Sequence, residues 1–315
     1  MNRDDIHIIS RHSNWSIAGV NQALKDGHYA DIKAWKKFLQ LLLITLGIGF
    51  TTAGILFFFA YNWADLHKFI KIGMIEGLIM LTSSLVLFTK LDIGIKNILL
   101  TAAAVLVGIL FAVFGQIYQT GANAYDFFLG WTVFITLWVI ISNFPPLWIV
   151  FLTLLNTTFV LYSQQMAEGW SEIFVFLILF LFNSLIFIFL IYFRKFKPEN
   201  KFPKWFTNTI VVASIGFSTI GIIAGVFEEE KNWILAVFII IAFALYLSGI
   251  IYGIKTKSGF FLSIIPFSII IIISALLIKI SDGAAMFFML SLFIIASISF
   301  LIKTLIDLQK KWYHE

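Results

Sequence analysis

The fold is decided between residues 127 and 163, where the sequence reads FFLGWTVFITLWVIISNFPPLWIVFLTLLNTTFVLYS. No acidic or basic side chain interrupts this stretch, and a helix that spans a bilayer needs about 20 apolar residues. The stretch is therefore too long for one span. Pro145 and Pro146 divide it, because the residue before a proline is disfavoured in helical geometry. We predict two consecutive transmembrane helices with a tight break at Asn143 and Phe144.

The rest of the chain repeats this pattern. Apolar residues make up 60% of the sequence and charged residues 12%, whereas soluble domains have about half and about a quarter. The apolar runs are continuous rather than alternating, which favours helices over a membrane-spanning barrel. The sequence therefore predicts an all-α, polytopic transmembrane helix bundle with about ten spans. The predicted spans are 38–61, 70–89, 98–118, 127–144, 145–163, 172–193, 206–227, 233–252, 259–280 and 284–302.

The distribution of basic residues predicts the orientation of these spans. If the N-terminus is cytoplasmic, all but four of the 22 lysines and arginines lie on the cytoplasmic side. The four exceptions are Lys68, Lys71, Lys231 and Lys279, and we expect Lys71 to extend toward the outer surface. Such a bias is the positive-inside pattern of membrane proteins. We therefore predict that both termini are cytoplasmic (N-in/C-in).

Residues 1–37 are predicted to form a short helical extension in the cytoplasm, and residues 303–315 a cytoplasmic tail. Ser and Asp side chains cap the start of helices, so Ser16 is expected to begin one helix and Asp31 a second that continues into the first span. The extension is either a collar on the membrane surface or a docking segment for a protein partner. Its acidic and basic residues nearly balance, so no nucleic-acid partner is predicted.

Glu76 is the clearest ionisable residue inside a predicted span. Charged side chains are costly within the bilayer and often mark an ion or substrate path. One interpretation is a buried carboxyl that takes up a proton, a cation or a substrate amine. The other is a structural group that hydrogen-bonds a neighbouring helix and holds the bundle together.

A second polar stretch, GQIYQTGANAYD at residues 115–126, follows the third span on the predicted outer side. Its amides and carboxylate are spaced three, four and three residues apart, which would align them on one face of a continued helix unless Gly121 ends it. The stretch is either part of an outer polar pocket or a hydrogen-bonded cap that orders short loops. The candidate ligand-binding residues of the pocket are Glu76, Gln116, Gln119, Asn123, Asp126, Asn62 and Tyr118.

Two asparagines and three glycine pairs predict contacts between helices. Asn156 and Asn183 lie near mid-bilayer depth in neighbouring spans, so we expect a hydrogen bond between them. Glycines four residues apart allow two helices to approach closely. These pairs are Gly73 and Gly77, Gly221 and Gly225, and Gly249 and Gly253.

The sequence carries no recognised catalytic or metal-binding motif. It has no cysteine, which excludes disulfides, thiolate metal sites and iron–sulfur clusters. A Walker loop, H-E-x-x-H, G-x-S-x-G and a dinucleotide fingerprint are also missing. We therefore predict no catalytic residue, no metal site and no cofactor.

The string GQIYQTGA at residues 115–122, followed by Tyr125 and Asp126, resembles the domain-of-unknown-function 2157 (DUF2157) bacterial membrane proteins. FAYNW at residues 59–63 carries the same resemblance, which covers the extension and roughly the first four or five spans. The resemblance implies a multi-pass protein of the bacterial inner (plasma) membrane. It implies no reaction and no substrate.

Three functional hypotheses fit these observations. The first is a transporter or lipid-handling protein with the outer polar site, whose ligand is a membrane lipid or a small molecule. The second is a non-transporting membrane scaffold or envelope-assembly component that holds a protein partner through residues 1–37 or its outer loops. The third is an intramembrane enzyme, which would need at least two convergent catalytic groups.

Overall fold

The structure, a computed structural model, describes the chain outside residues 1–5, 7–8, 11, 28–31, 62–65, 119–120, 197–201, 230–232, 281–283 and 315. The elements of the described residues are eleven α-helices, with no strand. They are α1 (Ile17–Gly27), α2 (Ile32–Tyr61), α3 (Lys68–Phe88), α4 (Ile93–Tyr118), α5 (Ala124–Ser142), α6 (Pro145–Gln165), α7 (Glu172–Phe196), α8 (Lys204–Phe227), α9 (Trp233–Lys255), α10 (Gly259–Ile280) and α11 (Ala284–His314). Within this part of the chain, α2 to α11 are the 10 helices that are long and apolar enough to cross a membrane. The predicted all-α fold and span count are confirmed.

The helices end where the sequence changes the backbone geometry. α5 ends at Ser142 and α6 begins at Pro145, and Asn143 between them is left-handed, with φ 43°. Proline is favoured in the first turn of a helix, because the N–H that it lacks has no intrahelical acceptor there. The predicted break is therefore confirmed. Gly121 has φ 68° and lies between α4 and α5, so residues 115–126 are not one continuous helix.

The helices near the two ends of the chain are longer than predicted. The hydroxyl oxygen of Ser16 accepts a hydrogen bond from the N–H of Gly19 at 3.1 Å and caps α1, as predicted. α2 begins at Ile32 and runs into the first span, whereas its predicted cap, Asp31, lies outside the described residues. α11 continues to His314, so the predicted tail is helical, because residues 303–314 contain neither proline nor glycine.

The chain divides into two compact units. The first unit contains residues 1–122 and 130–144, and the second contains residues 123–129 and 145–315. In the first unit, α4 packs against α3 and α2. The buried apolar side chains between α3 and α4 are Ile75, Leu106, Ile109 and Val113.

Trp131 of α5 fixes a second contact of α4 within the first unit. Its indole N–H donates to the carbonyl oxygen of Ala104 at 2.7 Å. Its ring lies against Gly108, where a Cβ atom would be only 2.5 Å from the ring carbons. Glycine is therefore required at position 108 for this close approach of α4 and Trp131.

In the second unit, α8 packs against α7 and α10, and two of the predicted glycine pairs mark close helix contacts. A Cβ atom at Gly221 would lie 2.5 Å from the Cβ atom of Phe176, and one at Gly249 would lie 2.6 Å from Ile265. By contrast, a Cβ atom at Gly73 or Gly77 of α3 would meet open space among the described residues. The pair Gly73 and Gly77 therefore makes no close helix contact within the part of the chain that the structure describes.

Asn156 of α6 and Asn183 of α7 form the predicted interhelical contact. The side-chain amide of Asn183 donates to Oδ1 of Asn156 at 2.9 Å, and the amide of Asn156 donates back to Oδ1 of Asn183 at 3.3 Å. Asn183 also donates to the carbonyl oxygen of Leu179 at 2.8 Å. Buried amides require such partners, because no water reaches them within hydrocarbon.

Candidate functional site

The predicted outer residues of the first unit lie on α3 and α4. Glu76 is exposed on α3, whereas the first interpretation expected a buried carboxyl. It makes no hydrogen bond or ion pair with another described residue. Lys71, which was expected to extend to the surface, is only 7% exposed. This expectation was wrong, because the side chain is buried.

The end of α4 holds two further candidates. Gln116 and Tyr118 are both exposed in its last turn. The ring of Tyr118 lies 4.6 Å from that of Phe114, and the Lys68 ammonium lies 5.9 Å from its centroid. Asn62 and Gln119 lie outside the described residues.

Asn123 and Asp126 belong to the second unit, where they organise the start of α5. The Asp126 carboxylate accepts a hydrogen bond from the N–H of Asn123 at 3.0 Å. The side-chain oxygen of Gln165 accepts one from the N–H of Tyr125 at 3.1 Å. Exposed first-turn N–H groups are satisfied in this way at helix starts. These contacts support the interpretation as a hydrogen-bonded cap, and the set of outer residues as one ligand site stays a prediction.

A cavity of about 310 Å³ opens between α7 and α9 in the second unit. We call it the α7–α9 cleft. Phe180, Phe187 and Ile188 of α7 form one side, and Leu245 and Tyr252 of α9 form the other. The remaining lining residues are Ser184, Ile191, Tyr192, Val211, Ser214, Ile215, Tyr246, Ser248, Gly249, Phe261 and Ile265.

The rim of the cleft reaches the surface of the unit. Ile188 is 47% exposed and Tyr192 is 60% exposed, and both are on α7, a helix apolar enough to span a membrane. The surface of such a helix faces lipid where no protein covers it. The cleft is thus an apolar recess on helices that are apolar enough to span a membrane.

Hydroxyl groups supply the polar part of the cleft wall. Ser184 and Ser214 lie 2.7 Å apart, oxygen to oxygen. The hydroxyl of Tyr246 lies 2.7 Å from that of Ser268, and it also bonds Ser218. None of the lining residues of the cleft is acidic, basic or a histidine. This arrangement suits binding of an apolar ligand, because ligand sites of this kind are mostly apolar and carry a few polar groups that orient the ligand.

A second cavity, of about 330 Å³, adjoins the cleft at the end where α7 and α9 finish and α8 and α10 begin. The two cavities share Phe187, Ile191, Tyr252 and Phe261. The lining residues that occur only in the second cavity are Leu190, Phe202, Lys204, Thr207, Asn208, Thr256, Lys257 and Ser258. We call this second cavity the basic mouth, because its charged lining residues, among those that the structure describes, are two lysines.

The turn after α9 sets the position of Lys257. The N–H of Ser258 donates to the carbonyl oxygen of Gly253 at 2.9 Å, and the N–H of Lys257 donates to that of Ile254 at 3.2 Å. This is the pattern of a Schellman motif, in which the residue at Lys257 usually is glycine. Lys257 instead adopts the left-handed conformation, with φ 50°, at a conformational free energy of about 1–2 kcal/mol.

The comparisons with known proteins concern the other half of the chain. Residues 21–148 match the family model for predicted membrane proteins (DUF2157). This match confirms the resemblance carried by GQIYQTGA and shows a multi-pass membrane protein, without a function. No curated protein and no solved structure matches the chain. The α7–α9 cleft, lined by residues 180–265, lies outside the matched residues.

Sequence reasoning missed the cleft because single hydroxyls in apolar spans carry little signal. Ser and Thr can donate to the carbonyl four residues earlier in any helix, as Ser291 does to Phe287 at 2.7 Å. Asn156 and Asn183 were paired because they lie at similar depth in neighbouring spans. The same comparison of depths could have paired Ser184 with Ser214.

Proposed function

We propose that this protein handles lipids, by holding the hydrocarbon chain of a membrane lipid in the α7–α9 cleft. The observation that carries the proposal is an apolar cavity of about 310 Å³ whose rim is exposed on membrane-spanning helices. Ligand sites are typically concave, mostly apolar, and carry a few polar groups that orient the ligand. A cleft that opens toward the bilayer receives its ligand from the bilayer.

The chemistry of the lining supports a lipid over an ion or a polar solute. A dehydrated ion requires charged or carbonyl ligands, whereas the cleft offers aromatic rings, aliphatic side chains and hydroxyls. The hydroxyls of Ser214 and Tyr246 already have partners in neighbouring side chains. Apolar contact is therefore the main interaction that the cleft provides.

The test is to fill the cleft without disturbing the core. Ser248 lines the cleft and is exposed. Its hydroxyl donates to the carbonyl oxygen of Ala244 in its own helix at 2.8 Å, and to no other residue that the structure describes. A Ser248→Phe ring would displace about two methylene groups of a bound chain, at about 0.8 kcal/mol each. Lipid binding to the purified full-length protein, measured by native mass spectrometry with a phospholipid titration, should weaken by about tenfold.

Ser291→Phe is the matched control. Ser291 is also exposed and bonds the carbonyl oxygen of its own helix four residues earlier, at 2.7 Å, but it lies on α11, away from the cleft. Its substitution should leave lipid binding unchanged. Equal binding by both variants would rule out the cleft as the lipid site and favour the scaffold hypothesis, which requires a partner protein that remains bound during purification.

A transport function at the outer side is a second proposal, and the exposed carboxyl of Glu76 is the observation that favours it. Glu76 lies in the middle of a helix that is apolar enough to span the membrane, where a charged group is costly unless it takes part in binding. Glu76→Gln should abolish proton- or cation-coupled uptake in proteoliposomes while leaving the thermal unfolding temperature unchanged. Uptake that persists in this variant would end the coupled version of the proposal.

We also propose where the protein lies in the cell. The positive-inside bias and the family resemblance support the bacterial inner membrane, with both termini in the cytoplasm. In this orientation the cleft and its basic mouth lie on the cytoplasmic side.

A further inference from the structure

We infer that the hydroxyl of Tyr252 donates a hydrogen bond to an ester carbonyl oxygen of an acyl lipid whose chain lies in the α7–α9 cleft. This inference rests on the proposed lipid function and adds the chemical class of the lipid. Tyr252 is in the last turn of α9 and lines both the cleft and the basic mouth. It therefore lies where a mostly apolar cavity meets one that is also lined by polar side chains.

The ring of Tyr252 is held by aromatic side chains of two other helices. Its centroid lies 6.1 Å from that of Phe187 on α7, at an interplanar angle of 90°. It lies 5.1 Å from that of Phe261 on α10, at 81°. Edge-to-face contacts of this kind are a preferred geometry of aromatic pairs. The phenol is therefore in place before a ligand arrives, which reduces the entropic cost of binding.

The hydroxyl of Tyr252 is available to a ligand. It forms no hydrogen bond with another residue that the structure describes. The side chain is half-buried, and its oxygen is not enclosed by the surrounding side chains. The hydroxyl of a buried tyrosine usually has a hydrogen-bond partner. A phenol that is held by its ring and has a free hydroxyl is therefore a donor for a molecule in the recess.

Other hydroxyls that line the cleft already have partners within the protein. Ser248 donates to a carbonyl oxygen of its own helix at 2.8 Å. The hydroxyl of Ser214 lies 2.7 Å from that of Ser184, and the hydroxyl of Tyr246 lies 2.7 Å from that of Ser268. A ligand group that bonds one of these hydroxyls competes with a contact inside the protein, whereas a bond to the phenol at the end of α9 replaces none.

The order of groups in an acyl lipid matches the order of groups in the recess. A phenol O–H needs an acceptor. In an acyl lipid the ester carbonyl lies between the hydrocarbon chain and the headgroup. With the chain in the cleft, this carbonyl is the acceptor that reaches Tyr252 at the junction of the two cavities. A chain joined by an ether bond has no carbonyl at this point, so the tyrosine selects acyl lipids.

The experiment compares two lipids that have the same headgroup and differ in the chain linkage. Full-length protein in detergent is titrated separately with two phosphatidylcholines whose saturated chains have equal length, joined by ester bonds in one and by ether bonds in the other. Native mass spectrometry measures binding. The wild type should bind the ester lipid about fivefold more tightly, which corresponds to one hydrogen bond of about 1 kcal/mol. Tyr252→Phe keeps the ring, and should weaken binding of the ester lipid by about fivefold while binding of the ether lipid is unchanged.

Tyr162→Phe is the matched control, because Tyr162 of α6 is also partly exposed and lines neither cavity. This variant should keep the preference for the ester lipid. A preference that is missing in the wild type, or that survives in Tyr252→Phe, would overturn the inference and leave the cleft proposal standing. Equal weakening of both lipids in Tyr252→Phe would also overturn it, because the bond would then go to a headgroup oxygen that the two lipids share. Binding of neither lipid to the wild type would overturn the cleft proposal as well.

Discussion

Asn156 and Asn183 show how a single polar pair is stabilised inside a span. Each amide donates to the other, at 2.9 and 3.3 Å, and Asn183 is 1% exposed. The pair was predictable because both residues are rare amides at matching depth in consecutive spans. The hydroxyl contacts at Tyr246 were not predictable from the sequence. Serine and threonine occur throughout these helices, and their hydroxyls can donate to a backbone carbonyl of the same helix.

Removing one member of the pair should cost more than removing both. Asn156→Leu leaves Oδ1 of buried Asn183 without its donor, which should lower the free energy of unfolding by about 1–3 kcal/mol. Asn156→Leu with Asn183→Leu replaces both amides by apolar groups and should recover part of that loss. Denaturant unfolding of wild type, both single variants and the double variant in one detergent measures the coupling. Additive losses would contradict a pair that acts as one unit.

The ends of the elements follow local backbone rules, and these were readable in the sequence. Pro145 begins α6 after the break at Asn143, and Gly121 separates α4 from α5. The length of α11 was not readable in the same way. The charged residues after residue 302 mark the end of a hydrophobic span, but a helix continues through charged residues when no proline or glycine stops it.

The contact between α4 and the Trp131 ring depends on the absence of a side chain at Gly108. Gly108→Ala places a Cβ atom 2.5 Å from the ring carbons, so the indole must move and its hydrogen bond to Ala104 is strained. We expect the free energy of unfolding to fall by about 1–3 kcal/mol. Thermal unfolding in detergent measures the change.

Gly47→Ala is the control for the helix propensity of alanine. Gly47 lies in α2, and a Cβ atom there meets no described atom within 4 Å. This substitution should leave stability unchanged or raise it by up to about 1 kcal/mol, the propensity difference between the two residues. A Gly108→Ala protein as stable as Gly47→Ala would mean that Trp131 is not held in this position.

At the scale of the whole molecule, composition and hydropathy predict the ten spans, and the two units are found only in the structure. Spans are local features of about 20 residues. The division into units depends on which helices contact each other, and no local pattern around residues 122–145 reports those contacts. The cleft is missed for the same reason, since its lining comes from four helices.

The predicted orientation can be tested directly because the chain has no cysteine. Lys90 and Glu168 are exposed in the connections after α3 and after α6, which N-in/C-in topology assigns to the cytoplasmic and outer sides. In intact cells, Glu168→Cys should react with a membrane-impermeant thiol reagent and Lys90→Cys should react only after the cells are opened. The reverse pattern would invert the topology and move the basic mouth to the outer side.

The break at Asn143 and Phe144 also bears on how the chain is inserted. The connection between α5 and α6 carries no lysine or arginine, so this helix pair brings no topogenic charge of its own and takes its direction from its neighbours. The two helices would then enter the bilayer together as a hairpin. Loss or gain of the whole hairpin leaves the direction of every later helix unchanged, whereas loss of one helix inverts the direction of every later helix. Natural length variants of this fold should therefore differ by even numbers of spans.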